Sequence, residues 1–144
     1  MYLANLIGSL LLVVLIYESG LLVGDGAIKA ISIAESKANL SISQAFFRGL
    51  LCNILVVLAV WMATASQDII SKLFACWFPI MLFVLCGFEH SVANMFFIPM
   101  GMVLGADVSI LQFIDNLMVV TIGNIVGGAI VIPFIYHEVY LKSN

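Results

Sequence analysis

Four polar side chains fall within six consecutive positions of an otherwise apolar run: Glu89, His90, Ser91 and Asn94, inside GFEHSVANMFFIPMG (Gly87 to Gly101). Each brings its own chemistry. An imidazole such as that of His90 changes charge nearest neutral pH, so it can donate or relay a proton there. The Glu89 carboxyl can orient that ring or tune its proton affinity, and the Asn94 carboxamide both donates and accepts hydrogen bonds. Within a membrane segment an ionisable group costs about 2.5 to 3.5 kcal/mol on the insertion scale, which drives such groups towards a bundle interior or a watery path. The cluster therefore points to a pore-lining or binding feature; the plainer alternative is a polar knot joining helices.

Other chemistries find little support in the residues. No Ser/His/Asp or Cys/His arrangement stands out, so the chain is not expected to be an enzyme. Cys52, Cys76 and Cys86 lie in apolar segments without metal-ligand spacing and read as small hydrophobes in helix packing. Neither a metal nor a cofactor is expected. A haem would need axial histidine, and His90 is the only histidine inside a span, His137 lying beyond the last one.

The elements that must hold the cluster are membrane helices. Of 144 residues, 64% are hydrophobic and only 9% charged, whereas a soluble domain carries about a quarter charged residues. Lipid must be the solvent for most of the surface. The net charge of −3 is small, and no basic patch with interleaved aromatics occurs, which sets nucleic acid aside. No Lys or Arg precedes Lys29, and the first apolar run is too long for a signal peptide, so it reads as a span.

Four spans are expected within a single transmembrane domain, 1–144. The first covers about 3–23. GDGAIKAISIAESKANLSIS (Gly24 to Ser43) follows as a polar surface connection with some helical periodicity. A second span covers about 45–65, with Asn53 inside it and Arg48 near its start, where it can snorkel. The short turn TASQDIISK, flanked by Trp61 and Trp77 as interfacial aromatics, demands an antiparallel neighbour. The last span covers about 117–136. The third, 73–104, is the odd one: as one rod it would be about 48 Å long, against a hydrocarbon core of about 30 Å. Gly87 and Pro99 are helix-weakening positions on either side of the cluster. The expectation is a helix broken near 87–94, with irregular backbone shielded from lipid.

NLIGS (Asn5 to Ser9) and NIVGG (Asn124 to Gly128) share Asn, two aliphatics, Gly and a small residue. Internal repeats with broken helices at matching places are a common transporter design. By that reading the first span closes one repeat, the last three spans form a second, and the opening of the first repeat lies before Met1.

GFEHSVANMFFIPMG, LLCNILVVLAVWMA (Leu50 to Ala63) and DNLMVVTIGNIVGG (Asp115 to Gly128) together resemble the formate/nitrite transporter family over essentially the whole chain. The resemblance implies an all-α membrane protein with an aquaporin-like inverted-repeat helical bundle. It also implies six spans per subunit, homopentamers with one pore per subunit, and a multi-pass place in a bacterial-type inner (plasma) membrane. Its substrates would be small monovalent anions: formate, nitrite and hydrosulfide. This chain would supply the third to sixth spans, the first two being absent together with a loop threonine and further constriction residues. Carried over by residue, His90 matches the central pore histidine, with Glu89 and Asn94 its neighbours in the break. Lys37 matches a basic residue of the outer vestibule, and Asn53 a polar residue of the fourth span. Val56 matches the outer hydrophobic constriction and Phe83 the inner one.

The implied mechanism is physical. A bare anion pays heavily to leave water, so apolar constrictions at Phe83 and Val56 should stop it. A weak acid escapes that cost by taking up a proton and crossing as a neutral molecule. Lys37 would draw the anion in, His90 would supply or relay the proton, and Asn94 and Asn53 would hydrogen-bond the permeant species. Lys29, Lys37 and Arg48 cluster at the first connection, which the positive-inside rule would make cytoplasmic; the resemblance puts it outside, as an anion funnel, and is followed here. Among the three anions, the fermentative habit of many family members favours formate. The alternatives are a hydrosulfide channel of the same family or a non-conducting fragment of a longer transporter.

Overall fold

Helix boundaries in this chain are set by short polar signals at the ends of long apolar runs. The computed structural model describes residues 1–142. Helix α1 (Tyr2–Glu18) is followed by α2 (Asp25–Ala38), α3 (Ile42–Ala65), α4 (Ile69–Leu85), α5 (Ser91–Val103) and α6 (Ile110–Ile125). A π-helical turn (Val126–Val131), the short α7 (Ile132–Tyr136) and a second π turn (His137–Leu141) carry the last rod onwards. Two stretches, Ile42–Ala65 and Ile110–Tyr140, are long and apolar enough to cross a membrane.

Two capping boxes open these long stretches. Before α3, the Ser41 N–H donates to Gln44 Oε1 (3.1 Å) and the Gln44 N–H donates back to Ser41 Oγ (3.3 Å). Before α6, the Ser109 N–H donates to Gln112 Oε1 (2.9 Å) and the Gln112 N–H to Ser109 Oγ (3.2 Å). Each pair satisfies helix-end donors that would otherwise lack partners. The last helix therefore begins at Ile110 rather than near 117, and it continues past Tyr136 instead of leaving a tail. At the other end of the chain α1 stops at Glu18, short of Val23, because Gly20 adopts φ +65° and its N–H turns back to the Tyr17 carbonyl.

Helix α4 starts on Asp68, whose Oδ1 accepts from the Ser71 N–H (2.9 Å) while Oδ2 accepts from the Ser71 hydroxyl (2.7 Å). The hydroxyl first, and the N–H after it, hold the Asp68 carboxyl below the ordinary carboxylate value. A carboxyl lowered in the folded state stabilises above its unfolded pKa and loses that contribution as pH falls through the folded value. Asp68→Ala should thus speed amide exchange in the first turn of α4 at neutral pH, and the difference from the parent should vanish in acid. Equal exchange at neutral pH would show that the cap is idle.

The chain forms two compact units. One joins Met1–Ala45 to Ser91–Val119, and the other joins Phe46–His90 to the chain from Val120 onwards. In the first, α1 and α2 both pack against α5. Helix α5 is its core, burying Ser91, Asn94, Met95, Ile98, Pro99, Met100 and Gly101. The connection 24–43 is more than a surface link, since α2 buries Ala34. A Cβ added at Gly101 would collide with the Ala34 methyl and lie 3.1 Å from the Ala30 carbonyl oxygen. Small residues let the two backbones meet, as in other membrane helix pairs.

In the second unit, α3 lies along the end of α6 and the π turn. A Cβ at Gly123 would strike the Phe46 carbonyl oxygen, and one at Gly127 the Leu50 carbonyl oxygen. One at Gly128 would strike Asn53 Nδ2. Gly123 and Gly127 thus form a seam on which main chain touches main chain, and Gly128 leaves room for the Asn53 side chain. At the far end Trp61 meets Tyr136 edge-on (5.5 Å between ring centres), and Tyr136 meets Tyr140 at 4.7 Å.

Candidate functional site

The polar cluster sits where the long third stretch stops being helical. Helix α4 ends in a Schellman turn: the Gly87 N–H donates to the Val84 carbonyl (3.2 Å) and the Phe88 N–H to the Phe83 carbonyl (3.0 Å). Gly87 takes φ +66°, a left-handed conformation that side-chain-bearing residues rarely adopt. Residues 86–90 are non-helical, and Ser91 opens α5. The break is narrower than 87–94, since Asn94 is already in α5. Pro99 does not contribute to it; it is buried inside α5, as Pro79 is inside α4. Neighbouring helices can support a proline-interrupted ladder in this way.

Main-chain groups in a break need partners outside a helix. Glu89, only 2% exposed, donates its N–H to the Arg48 carbonyl on α3 (3.2 Å). Its carbonyl accepts from Asn124 Nδ2 on α6 (3.0 Å). The same carboxamide donates to the Gly49 carbonyl (2.8 Å), while the Asn124 carbonyl accepts from Asn53 Nδ2 (2.6 Å). His90, half-buried, follows directly and stacks on Phe83, with 6.1 Å between ring centres and 25° between planes. Val56 lies three residues beyond Asn53 on α3, on the same side of the helix, and is half-buried.

In the other unit a second chain of amides joins two of the expected residues. Asn94, fully buried, donates from Nδ2 to Asn116 Oδ1 (2.8 Å), and Asn116 Nδ2 donates to the Lys37 carbonyl (2.9 Å). The Lys37 ammonium stands 5.8 Å from the centre of the Phe97 ring, within cation–π reach.

The seven expected residues therefore fall into two sets. Glu89, His90, Phe83, Asn53 and Val56 belong to one unit, with Glu89 and Asn53 tied through Asn124. Lys37 and Asn94 belong to the other, tied through Asn116. Asn116 and Asn124 were not among the residues singled out from sequence for the site. A signal for both was present, as each is a carboxamide in an apolar run, where polar groups are costly and marked.

The sequence profile described as formate/nitrite transporter matches residues 1–138. The chain belongs to this family. Among formate/nitrite transporter relatives, it is 51% identical over 118 residues to a probable formate transporter of Methanothermobacter thermautotrophicus, covering 82% of this chain and 43% of that one. It is 36% identical over 165 residues to the formate channel FocA of Escherichia coli strain K12, covering 99% of this chain and 58% of that one. A solved pentameric formate channel with formate bound matches with a TM-score of 0.89 at 37% identity, over 98% of this chain and 64% of that chain. An FNT family ion channel matches with a TM-score of 0.87 at 31% identity, over 95% and 56%. The all-α fold is thus that of the formate/nitrite channels. The chain spans about half the length of the curated relatives it matches.

Proposed function

We propose that this chain contributes the histidine-bearing part of a membrane conduction path for small monovalent weak-acid anions, formate first and nitrite with it. We further propose that passage is linked to protons through His90. The observation that carries this reading is the placement of His90. It is an ionisable ring on a pinned, non-helical segment within an apolar stretch, stacked on Phe83.

The steps balance simply. An anion attracted by the Lys37 charge loses water only if its charge is removed or paired. A protonated His90 transfers one proton to the anion, leaving a neutral acid and a neutral imidazole that takes its next proton from water on the side the anion entered. The neutral acid passes the apolar side chains of Phe83 and Val56 and gives up its proton to water on the other side. Asn94 and Asn53 are proposed to hydrogen-bond the permeant molecule. A homopentameric assembly in a bacterial-type inner membrane is part of the same proposal, supported by the likeness to a pentameric channel.

The test is flux into proteoliposomes by the complete gene product that carries this chain. Formate and nitrite uptake should rise as external pH falls, and chloride, which has no neutral acid near these pH values, should pass at least about tenfold more slowly. Equal chloride and formate fluxes would defeat the proposal, and hydrosulfide uptake far above formate would reassign the preferred anion.

A further inference from the structure

We infer that Asn124 is a positioning residue for His90: by holding the peptide that carries the ring, it sets where the imidazole stands in the path. The inference rests on the reading of His90 as the proton-handling group.

The Asn124 side chain is 93% buried by its residue exposure of 7%, and Nδ2 has two hydrogens to give. One goes to the Gly49 carbonyl on α3 (2.8 Å), the other to the Glu89 carbonyl in the break (3.0 Å). Asn124 is itself held, since its carbonyl accepts from Asn53 Nδ2 (2.6 Å). The Glu89 carbonyl shares a peptide plane with the His90 nitrogen. Fixing that oxygen fixes the rotation of the plane and so the direction in which the His90 side chain leaves the backbone. On the other side of Glu89, its N–H is tied to the Arg48 carbonyl. Residues 86–90 have no helical ladder of their own, so these bonds do the work a ladder does elsewhere.

The chemistry at position 124 is specific. Both partners are carbonyl oxygens, so the side chain must be a double donor. Asn124→Asp is nearly isosteric but would set carboxylate oxygens against two carbonyl oxygens. Asn124→Ser keeps one donor and can serve only one carbonyl at a time. Asn124 is not among the side chains proposed above to meet the permeant molecule.

The complete gene product would be reconstituted in nanodiscs with His137→Gln, so that His90 is the sole histidine of this chain, and ring titration followed by nitrogen NMR beside the pH profile of formate uptake. In Asn124→Ser, matched for folded protein, the His90 titration midpoint and the midpoint of the uptake profile should move together by about half a pH unit or more. Parental values for both in folded protein would overturn the inference. A measurement on the unsubstituted protein stands independently of whether variants fold. The Asn124 side-chain amide resonance should shift as His90 titrates, and an amide blind to that titration would also overturn the inference. Failure of the underlying reading looks different: His90→Leu would then keep the parental pH profile of uptake.

Discussion

Gly127→Val is expected to leave no folded protein in mild detergent, while Gly127→Ala folds with a clearly lowered thermal midpoint. The cause is the seam between α3 and the end of the last long helix. A Cβ at Gly127 would overlap the Leu50 carbonyl oxygen and lie 2.9 Å from its carbon and 3.1 Å from its Cα. All three are main-chain atoms, which no rotamer change can move aside. Overpacking a core ordinarily costs about 1 to 3 kcal/mol because side chains yield. Here the helices themselves must part, and parting them pulls Asn124 from Gly49 and Asn53 from Asn124. Gly26→Ala is the control, because its nearest neighbour would be Leu22 Cδ2 at an ordinary 3.6 Å. A folded Gly127→Val protein with the parental midpoint would mean that the two helices do not meet as closely as described.

The second large effect concerns transport itself. His90→Leu should reduce formate uptake by about a hundredfold, the lower end of what a positioned proton donor contributes, and the residual flux should be flat with pH. Leucine keeps apolar bulk beside Phe83, so the variant separates loss of the proton from loss of packing. His90→Asn is the companion, restoring hydrogen bonding without a proton titrating near neutrality. A pH response surviving in both variants would remove the imidazole from the mechanism. Chloride flux is the internal check: it should stay low in His90→Leu, because the apolar barrier is untouched.

Much of this architecture could be read from the residues. The excess length of the third apolar stretch, with four polar side chains near its middle, was enough to place a break beside His90, and Gly87 marks its opening. Helix ends were harder because they obey local capping rather than hydropathy. Ser109 and Gln112 begin the last helix in polar sequence, several residues before the apolar run that had defined it. Pro99 misled in the opposite direction: a proline that would stop a solitary helix is absorbed inside α5. The carboxamides show the deeper limit. Asn124 acts on Gly49 and Glu89, which lie 75 and 35 residues away in the chain, and Asn116 acts on Asn94 and Lys37, 22 and 79 residues away. No local pattern carries such pairings, so the resemblance between NIVGG and NLIGS marked the place without disclosing its task.

The Asn124 clamp also dates the site within the life of the polypeptide. Both capping boxes close between residues three apart, so those helix ends can seal as they leave the ribosome. The clamp cannot: Glu89 and its neighbour are synthesised 35 residues before the amide that fastens them. At about 5 to 20 residues per second, a newborn chain spends seconds with the Glu89 carbonyl not yet held by that amide.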